Sequence, residues 1–451
     1  MSSPPRTLDW RWWAWLLGAA ILLRTIVVLG LLGGMPMVSD AHDYFDFAVK
    51  LAAGDIGGAF YWPVGESALL AVPFAVLGPS VMVARLATIA MSAASIVLTT
   101  LLGRELGGPR VARVAGWMAA AYAPNVLLCG QTYSQHLAAL CLVALAYFGL
   151  RALSRPGIAP FCAAGLALGI GCLTRPSMVS VIPVLLMAWV LTARARRPSF
   201  ARLCLGGAAA AVVTLACVAP VLLHDADAGV GYVLSTNNER NFFLGNNPYT
   251  HDYATAHLGQ RSLDQLAPEP RAYLESFYER ADSRSAMRRA AIAYACDHPF
   301  RTAWRTFNRS LAFWGFDYLA SREIQKWFGW SALTTLPLLA VEAGTYCAIA
   351  ALAVVALFVM CDAGRLPVRA WLVCLALSYE IPYALAFSGG TYHFPVVPLI
   401  IPLAALAVVE LRRPGVELRL RAGAGRAGAL ALCVFAAVEA QYAYYTVVMS
   451  G

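Results

Sequence analysis

Charge is scarce in this sequence. Only 13% of its 451 residues are charged, whereas a soluble globular protein carries roughly 25%. Lysine is almost missing, because Lys50 and Lys326 are the only two among 34 basic residues. Together with a hydrophobic content of 60%, the low charge excludes an ordinary soluble domain.

The cysteines lack a pattern. The 11 cysteines are scattered, mostly inside apolar runs, and none forms a CxxC pair. This placement is typical of small core hydrophobes and not of a disulfide or metal framework. The sequence also lacks a convincing internal repeat, which disfavours a transporter because many transporters are built from inverted repeats.

What the sequence has instead is a series of apolar runs near 20 residues long, the length that crosses a bilayer as a helix. They predict an all-α polytopic membrane protein with about eleven spans, give or take two, because backbone polar groups in lipid must pair within their own segment. The runs lie near 12–32, 81–102, 111–128, 133–150, 158–173, 177–193, 203–223, 330–360, 368–387, 394–411 and 427–447.

Arginines set the predicted orientation. Arg6 and Arg11 precede the first run, and short Arg-rich turns recur between later runs, including Arg194 to Arg202 and Arg412 to Arg426. The positive-inside rule places these turns in the cytoplasm. The net charge of +9 is therefore attributed to topology, and no nucleic-acid partner is expected.

The remaining connections then share the outer side. They are the stretch Val38–Glu66, the turn at Arg175, a polar segment from His224 to about Lys326, and the turn Gly389–Phe394. We therefore expect three parts: a transmembrane module 1–223 with a catalytic first outer loop 33–80, a large outer segment 224–326 with amphipathic helices near 270–295 and 298–314, and C-terminal transmembrane helices 327–451. The predicted location is a bacterial inner membrane, multi-pass, with the site facing outside.

The stretch Val38–Glu66 concentrates acids that are costly near a bilayer. Ser39 is a suitable N-cap and Gly54 a suitable stop for an amphipathic helix on the membrane surface. Asp40 and Asp43, at i and i+3, share one face of that helix, and the helix dipole favours their charged forms. Such a carboxylate suits a general base, although two acids that merely cap a solvated helix would look the same.

Several motifs, taken in order, resemble those of a known group. They are Asp40-Ala41-x-x-Tyr44-x-x-x-Ala48-x-x-Leu51-x-x-Gly54, Tyr61-x-Pro63-x-Gly65, Ala84-Arg85-Leu86, Leu173-Thr174-Arg175-Pro176, Ser235-Thr236-Asn237-Asn238, Asn241-Phe242-x-Leu244-Gly245-Asn246-Asn247-Pro248 and Tyr392-His393-Phe394-Pro395-x-x-Pro398. The pattern resembles the GT-C glycosyltransferases of the protein-mannosyltransferase-like group, the family 39 and aminoarabinose-transferase relatives. It departs from them at Ala41, where members often have Glu, and at Thr391, where they often have Arg.

The resemblance implies transfer of a sugar from a polyprenyl-phosphate donor to a lipid, glycan or protein acceptor on the outer face of the membrane. Asp40 would be the base of an inverting displacement, with Asp43 orienting the acceptor. The residues expected to hold the donor phosphate or lipid are Arg85, Arg175, Arg240, Tyr392 and His393. The residues expected to contact sugar or acceptor are Tyr44, Tyr61, Trp62, Glu66, Asn237, Asn246 and Asn247. No cofactor is expected.

Alternative interpretations accompany these assignments. Arg175 could snorkel at the interface, His393 could pack there, and Gly245–Pro248 could be only a turn. His42 beside two acids suggests a metal, but its spacing does not put all ligands on one face, so none is expected. Arg24, deep in the first run, must be functional or paired, and the sequence does not identify its partner. The rival functions are a transporter or flippase of a lipid or polyol, and a non-catalytic scaffold for envelope assembly.

Overall fold

The predicted all-α class is confirmed. A computed structural model describes residues 8–155, 157–195, 200–252, 263–358, 365–412 and 424–444. Within these ranges the regular elements are helices, and no strand occurs. Among the arginines assigned to cytoplasmic loops, Arg6, Arg196 and Arg197 lie outside the described residues, as does most of the basic turn 412–426.

The helices follow one another with short connections. In chain order they are α1 (Trp10–Ile26), α2 (Asp40–Ala52), α3 (Gly65–Leu77), α4 (Val81–Ala121), α5 (Ala123–Leu127), α6 (Gln135–Ser154), α7 (Ile158–Thr174), α8 (Ile182–Ala195), α9 (Phe200–Asp227), α10 (Asn238–Gly245), α11 (Pro268–Tyr278), α12 (Ser283–Asp297), α13 (Pro299–Phe313), α14 (Leu319–Phe328), α15 (Ala332–Phe358), α16 (Leu366–Leu385), α17 (Val397–Leu411) and α18 (Ala424–Ala443).

The described chain contains seven helical segments long and apolar enough to cross a membrane, which makes this an integral multi-pass protein. They are Trp10–Leu31, Val81–Ala121, Gln135–Ser154, Phe200–Asp227, Ala332–Phe358, Leu366–Leu385 and Gly390–Leu411. The apolar helices Gly65–Leu77, Ile158–Thr174 and Pro176–Thr192 are shorter. The count is four below the eleven predicted spans. The predicted spans near 158–173 and 177–193 form shorter helices, α4 joins two predicted spans, and α18, in the predicted span 427–447, is not among the seven.

Helix α4 is bent in its middle. Gly108 has φ +79°, outside helical geometry, and Pro109 follows it. Proline lacks an amide proton, so the helical hydrogen bonds break there. An added Cβ on Gly103 would lie 2.9 Å from the Cβ of Ala115, so the two halves of α4 pack closely against each other.

The core of the bundle surrounds α17. The segment Gly390–Leu411 is the most enclosed of the seven spans, because 83% of an apolar stretch of 18 residues within it is buried. Helix α17 packs against α4, α6, α15 and α16. Its side chains are almost all apolar, as expected of a helix enclosed on every side.

The polar connections gather at one end of this bundle, which we call the loop end. It carries α2 and α10 to α14, and the predicted amphipathic segment near 270–295 is divided there into α11 and α12. The backbone amide of Thr236 donates to the carbonyl of Phe60 at 2.9 Å, which ties the start of the large segment to the acidic stretch. The Asn246 amide donates to the carbonyl of Leu385, the last residue of α16, at 2.9 Å.

Candidate active site

Helix α2 presents the acidic pair at its first turn. It begins at Asp40 and ends at Ala52, as the sequence predicts. Ser39 has φ +51°, and within the described residues no other non-glycine residue has a positive φ. A non-glycine residue in this region is strained, and strained residues often occur at functional sites. The entry to α2 is therefore a constrained position directly beside Asp40.

The Asp40 carboxyl has an unusual environment. The residue is exposed, yet burial among surrounding protein raises its pKa; the like charge of Asp43 raises the pKa further, and Arg175 opposes the rise. The carboxyl is therefore crowded by protein while it stays accessible to solvent. Asp43 accepts a hydrogen bond from Nε1 of Trp62 at 3.1 Å. An aspartate with a raised pKa is a stronger base than a free one, which suits proton abstraction.

Arg175 lies just beyond the C-terminal end of α7 and is half-buried. Its Nη1 donates to the hydroxyl of Tyr383 at 3.1 Å, and its guanidinium carbon lies 5.8 Å from the ring centroid of Tyr392. Its Nε is buried and has no hydrogen-bond partner among the residues that the structure describes. A guanidinium has five N–H donors, so Arg175 retains the capacity to bind an anion.

Three residues that the sequence did not single out support Arg175. The hydroxyl of Tyr383 lies 3.0 Å from Ser177 Oγ and 3.0 Å from the hydroxyl of Tyr379. The available signal was the polar group Tyr379, Glu380 and Tyr383 within an otherwise apolar run. Two tyrosines at i and i+4 share a helix face, but the pattern does not reveal which distant turn they meet.

Glu66 lies in the first turn of α3, beside the Arg175 turn. It is fully buried, neither of its carboxylate oxygens has a hydrogen-bond partner, and its charge interacts with Arg175. Gly65 explains the close approach, because a Cβ there would lie 2.5 Å from Thr174 Oγ1. Tyr44 of α2 is buried in the same region and interacts electrostatically with Arg175 and Glu66.

Aromatic side chains form a rim next to α2. The rings of Tyr61 and Trp62 are 5.0 Å apart between centroids, and Trp62 lies 6.0 Å from Tyr44. Arg240 of α10 donates from Nη1 to the hydroxyl of Tyr61 at 2.8 Å and from Nε to that of Tyr278 at 3.2 Å. Arg240 thus links the acidic stretch to the large segment.

The three candidate asparagines are buried in the loop end. Asn246 donates to the carbonyls of Phe242 and Leu385, both at 2.9 Å. Asn247 donates to the backbone of α10 and accepts from the amide of Tyr249 at 2.9 Å. Both side chains therefore hold the turn after α10, as in the alternative that treats Gly245–Pro248 as a turn. Asn237 is also buried, and its Oδ1 has no hydrogen-bond partner.

Two predicted phosphate ligands use their polar groups elsewhere. Arg85 is buried and donates to the carbonyls of Gly33, Met35 and Gly130, so it anchors the chain that leads into α2. His393 is also buried; its Nδ1 lies 2.8 Å from the carbonyl of Phe313, and its Nε2 lies 3.1 Å from Asp317 Oδ2. Each side-chain nitrogen of Arg85 and of His393 thus has a partner within the described residues.

Apart from Asn237, which belongs to neither, the predicted site residues fall into two groups in the structure. One group is joined by hydrogen bonds, ring contacts or electrostatic interactions around α2 and the Arg175 turn: Asp40, Asp43, Tyr44, Tyr61, Trp62, Glu66, Arg175, Arg240 and Tyr392. The other group is engaged in anchoring the backbone: Arg85, Asn246, Asn247 and His393. Among the described residues, no cluster of three or more potential metal ligands was found.

This architecture matches known membrane glycosyltransferases. ArnT from Cupriavidus metallidurans, solved with undecaprenyl phosphate, superposes with a TM-score of 0.51 at 16% identity, over 94% of this chain and 63% of that one. The oligosaccharyltransferase AglB from Archaeoglobus fulgidus, solved with an inhibitory peptide and a dolichol-phosphate, gives 0.50 at 13%, over 96% of this chain and 55% of that one. The chain is therefore a GT-C-type polytopic membrane protein by fold, and it spans less than two thirds of the length of these structures.

A sequence comparison agrees with the fold. The family described as dolichyl-phosphate-mannose-protein mannosyltransferase matches residues 63–224, which include α3, Arg85 and the Arg175 turn. A comparison with curated proteins found no significant match. The resemblance to the protein-mannosyltransferase-like GT-C group, first inferred from short motifs, is thereby confirmed.

Proposed function

We propose that this protein is a membrane glycosyltransferase that moves a sugar from a polyprenyl-phosphate donor to an acceptor hydroxyl. The observation that carries the proposal is the electrostatic interaction between Asp40, a base of raised pKa, and Arg175, a cation whose Nε has no partner among the described residues. A base and an anion-binding group are the two parts that such a displacement requires. The GT-C fold and the matched family support the same class of reaction.

In the proposed reaction Asp40 takes the proton from the acceptor hydroxyl while the oxygen of that hydroxyl attacks the anomeric carbon. The bond from that carbon to the phosphate oxygen breaks, and the electron pair leaves with the polyprenyl phosphate. Arg175 stabilises the charge that develops on the departing phosphate. One displacement inverts the anomeric configuration, and Asp40 returns its proton to solvent.

The neighbouring side chains suit supporting roles. Tyr392 lies under the Arg175 guanidinium and would flank the phosphate. Trp62 and Tyr61 would stack on a sugar face at the rim, and Arg240 would hold that rim in place. Asp43, bonded to Trp62, would orient the acceptor.

The proposal extends to location and acceptor. The loop end would face the periplasm or outside of a bacterial inner membrane, because the Arg-rich short turns favour the cytoplasmic side. The acceptor would be a lipid, a glycan or a protein, and the solved relatives include one bound to an inhibitory peptide. The reaction is assigned to side chains alone, so we expect a chelator to leave transfer unchanged in membranes supplied with donor.

The test is the substitution Asp40→Asn in purified membranes supplied with polyprenyl-phosphate sugars. We expect sugar transfer to be lost with unchanged protein abundance, because asparagine cannot accept the proton. The matched control is Asp46→Asn, an exposed aspartate on the same helix whose carboxylate pairs with His42 at 3.0 Å. Transfer retained by Asp40→Asn would contradict the assignment of the base.

A further inference from the structure

Helix α13 turns three aromatic residues outward and two of its three arginines inward, while Arg301 is exposed and Phe313 is buried. Phe300, Trp304 and Phe307 are 90%, 49% and 52% exposed, whereas Arg305 and Arg309 are 1% and 3% exposed. Positions 300, 304 and 307 follow the i, i+4, i+7 spacing of one helix face. A helix that borders water has the opposite arrangement, so the exposed face of α13 suits an apolar or interfacial surrounding.

The protein itself fixes this orientation. Arg305 donates from Nε to Asp252 at 2.9 Å and from Nη1 to the carbonyl of Asn247 at 2.9 Å. Arg309 donates from Nη1 to the carbonyl of Leu385 at 2.9 Å and from Nη2 to that of Gly245. Because buried guanidinium groups require such partners, rotation of α13 about its axis would leave both arginines unsatisfied.

The contacts of α13 also place it at the level of the membrane surface. Leu385, which accepts from Arg309, is the last residue of the apolar span α16, and α13 packs against that helix. Shortly afterwards α14 ends with Trp327 and Phe328 exposed, directly before the span α15. Exposed aromatic residues beside the ends of spans are typical of the interfacial belt.

We propose that α13 lies in the headgroup region of the leaflet nearest the loop end, with Phe300, Trp304 and Phe307 inserted among bilayer lipids. The buried face of α13 holds the turn after α10 through Asn247, so lipid contact with the outer face fixes the height of that turn above the bilayer. This role does not depend on the proposed transfer reaction. A second copy of the chain, or a partner protein on the same face, is the competing outcome.

The first test places a benzophenone amino acid at position 300, 304 or 307 in the full chain reconstituted in lipid nanodiscs. All three positions are exposed, so folding should be retained, and monodispersity checks it. The control is Ser276, exposed on α11. We expect covalent phospholipid adducts at the three α13 positions and none at the control. Adducts to polypeptide, or no lipid adduct on α13, would overturn the proposal.

A second measurement uses the native side chain. The difference in tryptophan fluorescence between the wild type and Trp304→Phe isolates the Trp304 signal and keeps the face aromatic. We expect lipids brominated near the start of the acyl chain to quench this signal, and aqueous acrylamide to quench it weakly. Strong acrylamide quenching without bromolipid quenching would place α13 in water and refute the inference.

Discussion

Arg24 and Arg175 lie at different depths, the first fully buried in α1 and the second half-buried after α7, and they also differ in how their donors are used. Arg24 is fully buried in α1 and donates to Ser92 at 2.7 Å, to Asn125 at 2.8 Å, and to the carbonyls of Ala20 and Ala120 at 3.1 Å. Arg175 has one hydrogen bond, to Tyr383, and leaves its Nε unpaired.

This difference separates a structural arginine from a functional one. The sequence did not identify the partner of Arg24. In the structure its guanidinium donates to neutral oxygens on α4 and α5, and these hydrogen bonds connect α1 with both helices. Arg175 stands instead among phenol rings and carboxylates with donor capacity unused. Because unpaired buried polar groups are rare, an open one beside an acid is a stronger indication of a site than charge alone.

The largest effect should come from removing the open arginine. We expect Arg175→Gln to lower the rate of sugar transfer about 100- to 1,000-fold, as when one donor is removed from a site of developing charge. Thermal unfolding in detergent should change little. Arg175→Lys keeps the charge but loses the planar guanidinium, so its transfer rate should lie between those of the wild type and Arg175→Gln. An unaltered rate in Arg175→Gln would remove Arg175 from the site.

Substitution of Arg24 should lower the stability of the protein and leave sugar transfer nearly unchanged. We expect Arg24→Leu to destabilise the protein by about 1 to 3 kcal/mol, because Asn125 and the Ala120 carbonyl lose a buried donor. Thermal unfolding measures this loss, while transfer per folded molecule should stay near that of the wild type. If Arg24→Leu instead lost activity without losing stability, the distinction between the two arginines would fail.

A smaller decrease in the transfer rate should follow from removing the hydrogen bond between Arg175 and Tyr383. Tyr383→Phe keeps the ring and removes the hydroxyl that Arg175, Ser177 and Tyr379 share. We expect transfer to fall about tenfold, the equivalent of one charge-assisted hydrogen bond. The control Tyr444→Phe changes an exposed tyrosine directly after α18. Equal rates for Tyr383→Phe and the wild type would show that Arg175 is held by other contacts.

The sequence predicted local features well. Ser39 and Gly54 lie at the predicted ends of α2, although the Ser39 side chain makes no capping hydrogen bond within the described residues. The charge pattern also predicted that the acidic stretch, the Arg175 turn and the late Tyr392 turn share one end. These features depend on short-range rules for caps and on the distribution of arginine. Gly65, the last residue of the motif Tyr61-x-Pro63-x-Gly65, lies at a close contact, because the absence of a Cβ there lets Thr174 approach the backbone.

What the sequence did not predict depends on partners far apart in the chain. Arg175 and Tyr383 are separated by 208 positions, and no periodicity within either segment points to the other. The same holds for His393, whose partner Asp317 lies in the connection between α13 and α14. Arg85 was expected to bind phosphate because of its place in a motif, but its hydrogen bonds go to three carbonyls.

The smallest expected effect is a shift along the pH axis. Asp40 acts as a base only when deprotonated, so transfer should be present above its pKa and be lost as the pH falls through that value. Burial and then Asp43 raise the pKa of Asp40, and Arg175 opposes them. Asp43→Asn removes one raising contribution, so the acidic limb of the pH–rate profile should move to lower pH.

The sign of that shift ties the arginine comparison to Asp40. Arg175→Gln removes the opposing contribution, so its residual activity should show an acidic limb at higher pH than the wild type. Arg24→Leu should leave the limb in place, because Arg24 is not among the groups that shift the pKa of Asp40. Asp46→Asn, the exposed neighbour on α2, serves as the matched control for Asp43→Asn. If the acidic limb of the pH–rate profile moved by the same amount in all of these variants, a group other than Asp40 would limit the rate at low pH.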